Sequence, residues 1–135
     1  MNPVQIQIAN HRLVARFEHQ LTPRTCHWFR QMLPFKGKLI HVRWSGEACW
    51  VPLGNDDIPV GYENATSQPA PGEILIYTGN KSEREILLPC GGASFSSKVG
   101  PLAGNHTMTV VEGLDLLRTI ERLVLWEGAQ DITFE

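Results

Sequence analysis

The sequence predicts a mainly β protein in which seven or eight short strands form a small closed barrel, with two helices covering its ends. Two observations lead to this prediction. Short segments of alternating apolar and polar residues, or rich in β-branched residues, recur along the chain between turn-forming residues. Helical spacing of apolar residues occurs in only two segments, and these do not alternate with strands as in an open α/β sheet. Helices layered on one face of a sheet are the alternative.

Hairpins account for most of the predicted strands. "VQIQI" and "RLVARF" alternate on either side of Asn10 and His11, so the chain opens with a hairpin. "KLIHV" and "ACWVPL" flank Ser45 and Gly46, and "EILIY" and "REILL" flank a polar turn. "HTMTVV" and "DITF" are the last two strands. The Gly/Pro/Asn-rich stretch 54–73 is predicted to be a loop with one short strand, and "GGASFSSKVGPLAGN" to be a Gly/Ser-rich loop.

Two helices are predicted from apolar spacing and from residues that favour helix ends. The first begins after Thr22, a suitable N-cap that is followed by proline, and ends before Pro34. The second ends at Gly128. The apolar residues at helical spacing are Cys26, Phe29 and Leu33 in the first helix, and Leu117, Ile120 and Val124 in the second.

Composition indicates a single domain over residues 1–135 and excludes several classes of function. A net charge of −2 gives no basic surface for nucleic acid. No apolar run is long enough to span a membrane, and the first residues do not resemble a secretory signal. Three cysteines without a CxxC spacing argue against a disulfide framework. We therefore expect a cytoplasmic protein, and because no cofactor motif is present, we expect no cofactor.

The stretch "RWSGEACW" at residues 43–50 places charged groups between two tryptophans inside a predicted sheet. A two-residue hairpin at Ser45 and Gly46 would put Trp44 opposite Glu47, whereas a bulged connection would let Arg43 and Glu47 share a face. In both cases Glu47 would lie among indole rings. Desolvation there would raise the pKa of its carboxyl and suit it to general acid or base catalysis. A surface glutamate paired with Arg43 is the simpler alternative.

Further polar residues cluster in the second half of the chain. Asn105 and His106 begin a strand directly after a glycine, and histidine can exchange a proton at physiological pH. Ser97 and Lys98 lie in the Gly/Ser-rich loop, whose amides could cradle an anion, although the loop has no P-loop motif. His41, Glu47 and His106 could together ligate a metal, but no metal-ligand spacing supports this, so we expect no metal site.

Three segments in order, "PFKGKLIHVRWSGEACWVPLG", "ENATSQPAPGEILIYTG" and "FSSKVGPLAGNH", resemble a bacterial and archaeal family of small cyclophilin-like proteins related to cucumopine synthase. The resemblance covers about residues 20–112. It implies a closed eight-stranded β-barrel of cyclophilin type. It does not imply peptidyl-prolyl isomerase activity, because the pocket motifs of those enzymes, such as Phe-His-Arg, are missing. Glu47 resembles the acidic residue on the Trp-Gly strand of this family.

Taken together, these features favour a barrel that binds a small carboxylated metabolite. Because cucumopine synthase condenses a 2-oxo acid with an amino acid through an imine, the resemblance implies proton transfer next to a carbonyl or an imine. Glu47 and His106 are the predicted catalytic residues. The predicted substrate-binding residues are Arg43, Trp44, Trp50, Glu63, Asn64, Tyr77, Ser97, Lys98 and Asn105. The alternatives are a non-catalytic metabolite sensor, a regulatory subunit of a larger metabolic enzyme, and an interaction protein whose aromatic residues are buried in a homo-oligomer.

Overall fold

A computed structural model describes residues 3–135 of the chain, so Met1 and Asn2 of the predicted domain lie outside the described range. The strands are β1 Val4–Ile8, β2 His11–Phe17, β3 Phe35–His41, β4 Gly46–Gly54, β5 Ala65–Thr66, β6 Glu73–Tyr77, β7 Arg84–Ala93, β8 Ser96–Ser97, β9 Gly100–Pro101, β10 Gly104–Glu112 and β11 Gln130–Phe134. The helices are α1 Pro23–Arg30 and α2 Leu117–Glu127, and single 3-10 turns cover Arg43–Ser45 and Leu114–Leu116.

Eight antiparallel strands form a closed barrel. Neighbouring strands follow the order β2, β1, β11, β3, β4, β7, β6, β10, and pairing of β10 with β2 closes the ring. The short strand β5 pairs with the end of β10, and β8 and β9 form a separate small hairpin. The predicted fold class, a closed eight-stranded barrel with two helices, is therefore confirmed.

The barrel interior is filled by buried apolar side chains. Alternate residues of every barrel strand point inward, as in the row Val51, Ile86 and Ile76 across β4, β7 and β6. Both helices add apolar side chains to this same core: Cys26 and Phe29 from α1, and Leu117, Ile120 and Val124 from α2. The two helices thus cover the core as the apolar spacing predicted.

A second, smaller core lies on the outer face of β4, β6 and β7. Leu75, Leu87 and Trp50 form one row across the three strands, and Tyr77, Glu85 and Pro52 form the next. The segment that follows β7 folds back over this face. Phe95 in that segment is fully buried, and its ring meets the Tyr77 ring edge-on with centroids 6.0 Å apart. An outer face that would otherwise be exposed is thereby covered by the β8–β9 hairpin.

Three details differ from the sequence-based expectations. Strand β7 extends to Ala93, and β8 and β9 form a hairpin, so the predicted Gly/Ser-rich loop is partly ordered into strands. Thr22 precedes α1, but its hydroxyl donates to the Glu18 carbonyl at 3.1 Å and does not cap the helix. Helix α1 ends at Arg30, so Leu33, which was predicted to belong to its apolar face, lies outside the helix.

Candidate functional site

The connection between β3 and β4 places its residues on two sides of the sheet. His41 pairs with Cys49, and the Val42 amide donates to the Ala48 carbonyl at 3.0 Å, so the chain turns over through Arg43–Ser45 and Gly46. Gly46 has φ of 111°, and a Cβ there would lie 2.5 Å from the Gly92 carbonyl oxygen, so glycine is required. Arg43 and Glu47 line the same pocket, while Trp44 lines a different one. The bulged alternative is the one observed.

A wide surface cleft lies on the outer face of the barrel, between β4, β7 and the β8–β9 hairpin. Its volume is about 740 Å³, which is within the usual range for sites that bind small molecules. Two tryptophans form its apolar part, and the 78–83 turn and the hairpin tip supply its polar rim. The lining residues are Trp44, Trp50, Asn55, Asn80, Lys81, Ser82, Glu83, Arg84, Glu85, Ser97, Lys98 and Val99.

Glu85 is a buried carboxyl group in the wall of this cleft. The residue is only 4% exposed, and it lies between Pro52 and Tyr77 on the neighbouring strands. Its Oε2 atom is buried and has no hydrogen-bond partner within residues 3–135. Burial, and next the nearby charge of Glu83, raise the pKa of Glu85 to about 8. Glu85 is therefore mostly protonated at neutral pH and can act as either a proton donor or a proton acceptor near physiological pH.

The two tryptophans of the cleft form an edge-to-face pair. Their ring centroids are 6.4 Å apart, and the planes are inclined by 69°. Trp44 is 60% exposed, whereas Trp50 is half-buried next to the second, smaller core on the outer face of the barrel. The buried Nε1 atom of Trp50 also has no hydrogen-bond partner among the described residues. A buried indole N–H normally has a partner, so the Trp50 N–H is an unsatisfied donor on a residue that lines the cleft.

Positive charge is available at the rim rather than at the wall. Lys81 lies on the 78–83 turn, and Lys98 lies at the tip of the β8–β9 hairpin. Arg84 is buried, and its two terminal nitrogens are used, because Nη1 donates to the Asn55 carbonyl at 3.1 Å and Nη2 pairs with Asp57 at 2.6 Å, whereas its Nε has no hydrogen-bond partner among the described residues. The lysines, which take part in no ion pair in the described part of the chain, are therefore the cations available for a ligand.

The predicted desolvation of Glu47 among indole rings is wrong. Its side chain is 44% exposed and forms an ion pair with Arg118 of α2 at 3.0 Å. Its Oε1 atom also accepts a hydrogen bond of 3.0 Å from the Gly92 amide. Glu47 is thus held by two partners, and its carboxylate lies in a pocket that contains neither Trp44 nor Trp50. The sequence did not reveal Arg118 as its partner because the two residues are distant along the chain.

Asn105, Glu63 and Thr25 form an internal network instead of a substrate site. The buried Asn105 amide donates to Thr25 Oγ1 at 3.0 Å and to the Gly61 carbonyl at 2.9 Å, while its oxygen accepts from the Glu63 amide. The Glu63 carboxylate accepts from the Thr25 amide at 2.8 Å and hydroxyl at 2.6 Å, and so caps α1. These contacts correct the predicted substrate-binding roles of Asn105 and Glu63, because both side chains are used internally.

Asn64, His106 and Tyr77 also serve the framework. Asn64 has φ of 47°, and its carbonyl accepts from the His106 amide at 3.4 Å. His106 Nε2 lies 2.7 Å from the Thr109 hydroxyl, which donates to Glu18 at 2.5 Å, so the imidazole donates from Nε2. Tyr77 is fully buried, and its hydroxyl accepts from the Lys81 amide at 3.0 Å. Tyr77 thus positions the rim of the cleft and does not line it.

The structure therefore brings together only part of the predicted site. Trp44, Trp50, Ser97 and Lys98 share the cleft, whereas Arg43 and Glu47 line a separate pocket. Glu85 and Lys81 were missed. Glu85 lies in the charged run "KSEREI", which is typical of a solvated turn, and its only distinguishing sequence signal is its alternation with Leu87 on an otherwise apolar strand.

Residues 3–135 contain neither a helix that could cross a membrane nor a group of side chains that could hold a metal ion. Neither helix within residues 3–135 has the length and apolar character needed to cross a membrane. In the same range, no three His, Cys, Asp or Glu side chains are grouped so that they could hold a metal ion. His41, which was considered as a ligand together with Glu47 and His106, instead pairs with Glu121 at 2.6 Å.

The sequence profile of one protein family matches residues 4–135, almost the whole chain. Its description is "Protein of unknown function (DUF3830)". The chain belongs to this family. No curated protein matches the chain.

Solved structures with a similar fold include McbB in complex with tryptophan and the hypothetical protein AF2241 from Archaeoglobus fulgidus. McbB has a TM-score of 0.73 and 15% identity over 98% of this chain, which spans only 44% of the McbB chain. The match to AF2241 has a TM-score of 0.62 and 15% identity, and it covers 98% of this chain and 92% of the AF2241 chain. At such identity the similarity concerns the fold alone.

Proposed function

We propose that the cleft beside the Trp44–Trp50 pair binds a small metabolite and that Glu85 exchanges a proton with it. One observation carries this proposal: Glu85 is a buried, unpaired carboxyl group in the wall of a 740 Å³ cleft. Burying a carboxyl group without a partner destabilises a fold, and such groups are concentrated at functional sites. Its pKa of about 8 suits proton transfer near neutral pH.

The lining of the cleft indicates the chemical class of the ligand. Trp44 and Trp50 offer apolar ring surface for a flat or hydrophobic part, and the free Trp50 N–H can donate to a ligand acceptor. Lys81 and Lys98 at the rim can pair with a carboxylate or another anionic group. A small carboxylated metabolite with an apolar part fits this arrangement, and this keeps the substrate class predicted from the sequence.

The reaction class comes from the resemblance to the cucumopine synthase relatives, which implies carbonyl and imine chemistry. In the proposed step, ionised Glu85 removes a proton from a carbon next to a carbonyl or an imine, and its protonated form returns a proton to the ligand. Glu85 replaces Glu47 as the proposed catalytic carboxylate because Glu47 is paired with Arg118. McbB was solved with tryptophan, so an amino acid with an indole ring is a rational first probe.

A non-catalytic metabolite-binding role is the second candidate. It is favoured by the absence, within residues 3–135, of any hydrogen-bonded partner that would orient the Glu85 carboxyl as a catalytic pair. In that case protonated Glu85 would only donate a hydrogen bond to the ligand. A regulatory subunit, a homo-oligomer, a cytoplasmic location and a single domain over residues 1–135 stay predictions.

The two roles are separated by following binding and proton exchange in one set of variants. Tryptophan and pyruvate, alone and together, are titrated into the wild type, E85Q and the exposed-surface control E127Q. Exchange of carbon-bound protons with D₂O is then recorded by proton NMR. An enzyme loses exchange at least about 100-fold in E85Q while it retains binding. If the protein only binds its ligand, none of the three proteins exchanges protons faster than buffer. Only E85Q then changes the affinity for the probes.

The expected pH dependence follows from the role of Glu85 as a base. Exchange increases as the pH rises toward about 8, where the carboxyl becomes ionised. If E85Q exchanges protons as fast as wild type, or if neither probe binds the wild type in a saturable way, the proposal is contradicted.

A further inference from the structure

We propose that a second pocket, on the opposite side of the Arg43–Ser45 turn, binds a small oxyanion, the carboxylate or phosphate group of a metabolite. This pocket lies between α2 and the start of β4 and has a volume of about 440 Å³. We call it the arginine pocket. Its lining residues that matter here are His41, Arg43, Glu47, Arg118, Arg122 and Trp126. It is separate from the cleft of Glu85, so the inference goes beyond the proposed function.

Two of the three arginines carry uncompensated charge. Arg43 and Arg122 are exposed, and neither has a carboxylate within 4.0 Å in the part of the chain that the structure describes. Arg118 is shared between Glu47 at 3.0 Å and Glu121 at 4.0 Å. Guanidinium groups present several donors in a planar fork that matches carboxylate and phosphate oxygens. Three of them lining one concave surface therefore favour an oxyanion.

The acidic residues of the arginine pocket are already occupied by internal partners. Glu121 is buried, with Oε2 at 2.6 Å from His41 Nε2 and Oε1 at 4.0 Å from Arg118 Nε. Glu47 is held by Arg118 and by the Gly92 amide. The Glu47 carboxylate thus pairs with Arg118 in the way that we expect of an external oxyanion, and it fills part of the site. Positive charge remains in excess at the mouth of the pocket.

The exposed Trp126 adds an apolar surface at the rim. It is 75% exposed and follows Arg122 by about one helical turn on α2, so both residues face the pocket from the same side. An exposed indole beside unpaired guanidinium groups can cover the non-ionic part of a ligand. It also provides a reporter, because its indole N–H resonance responds to an anion bound nearby.

The test uses inorganic phosphate and succinate as probes, titrated at constant ionic strength while the Trp126 indole resonance is followed by NMR. The wild type should show a saturable shift with at least one probe. R122Q should weaken binding at least about 10-fold, because it removes charge-assisted hydrogen bonds. Its matched control is R24Q on α1, which makes the same charge change at an exposed arginine without an ion pair and should stay within about 2-fold of the wild type.

Two further variants test whether the probe binds in the arginine pocket. E47Q keeps the size of the side chain but frees Arg118, so it should bind the probe more tightly; weaker binding in E47Q would overturn the proposal. E85Q should leave probe affinity unchanged, which separates this pocket from the cleft. If R24Q and R122Q weaken probe binding equally, the anion is attracted by the surface charge in general. If the wild-type titration does not saturate, there is no site. Either result would refute the assignment.

Discussion

Replacing Glu85 by glutamine should change how stability depends on pH. In the folded protein burial raises the pKa of Glu85 from 4.5 to about 8, whereas the unfolded chain keeps the ordinary value. Between these pH values the folded state keeps a proton that the unfolded state has lost, so the free energy of unfolding falls as the pH rises. At about 1.4 kcal/mol per pH unit, the loss from Glu85 amounts to about 5 kcal/mol.

Glutamine is nearly the same size as a protonated glutamate and cannot ionise. E85Q should therefore match the wild type within about 1 kcal/mol near pH 4.5, and it should become more stable than the wild type by up to about 5 kcal/mol at pH 9. Other groups titrate equally in both proteins, so the difference between their free energies of unfolding reports on Glu85 alone. Urea unfolding followed by tryptophan fluorescence from pH 4.5 to 9 measures it, with E127Q as the control.

The reasoning is refuted if the stability difference between E85Q and the wild type stays constant over this pH range. It is equally refuted if the wild type becomes the more stable protein at high pH, because that would mean that the folded state favours ionised Glu85.

Three other predictions concern the neighbours of Glu85 and the internal network. E83Q removes a charge that raises the pKa of folded Glu85, so the loss of stability that begins near pH 4.5 should end at a lower pH and be smaller than in the wild type, as measured by the same unfolding series. N105A leaves buried partners on Thr25, Gly61 and Glu63 unsatisfied and should cost about 3 kcal/mol in urea unfolding without changing ligand affinity in the cleft. Burial raises the pKa of Glu63, but hydrogen bonds from Thr25 and Arg24 outweigh it and hold the pKa below its usual value. E63Q should therefore lose about 1 kcal/mol at pH 7 and progressively less as the pH falls through the Glu63 pKa; an equal loss at pH 7 and at pH 3 would contradict this.

The barrel strands could be predicted because their pattern is local. Val4, Ile6 and Ile8 alternate with glutamines, and β2 shows the same period of two, so the inward faces of these strands can be predicted from the sequence. Leu117, Ile120 and Val124 mark the buried side of α2 in the same way. Closure of the ring was expected from the number and order of the strands and from the resemblance to a known family, and pairing of β2 with β10 confirms it.

The candidate site was only partly predictable because its chemistry depends on distant contacts. Glu85 is buried because the hairpin that follows β7 folds back over the outer face of the barrel, and no local pattern encodes that covering. Glu47 is paired because α2 brings Arg118 next to it. Asn105 and Glu63 have the residue types of a ligand site, but they instead fasten the loop before β5 to α1.

The most direct test of the proposed function is the titration of the Glu85 carboxyl itself. In protein labelled with ¹³C-glutamate, the carboxyl resonance of Glu85, assigned by its loss in E85Q, is followed from pH 3 to 10 by NMR. A midpoint near 8 would show a sheltered neutral acid in the cleft wall, ready to exchange a proton with a bound ligand. A midpoint near 4.5 would show an ordinary solvated carboxylate and would contradict the proposed role.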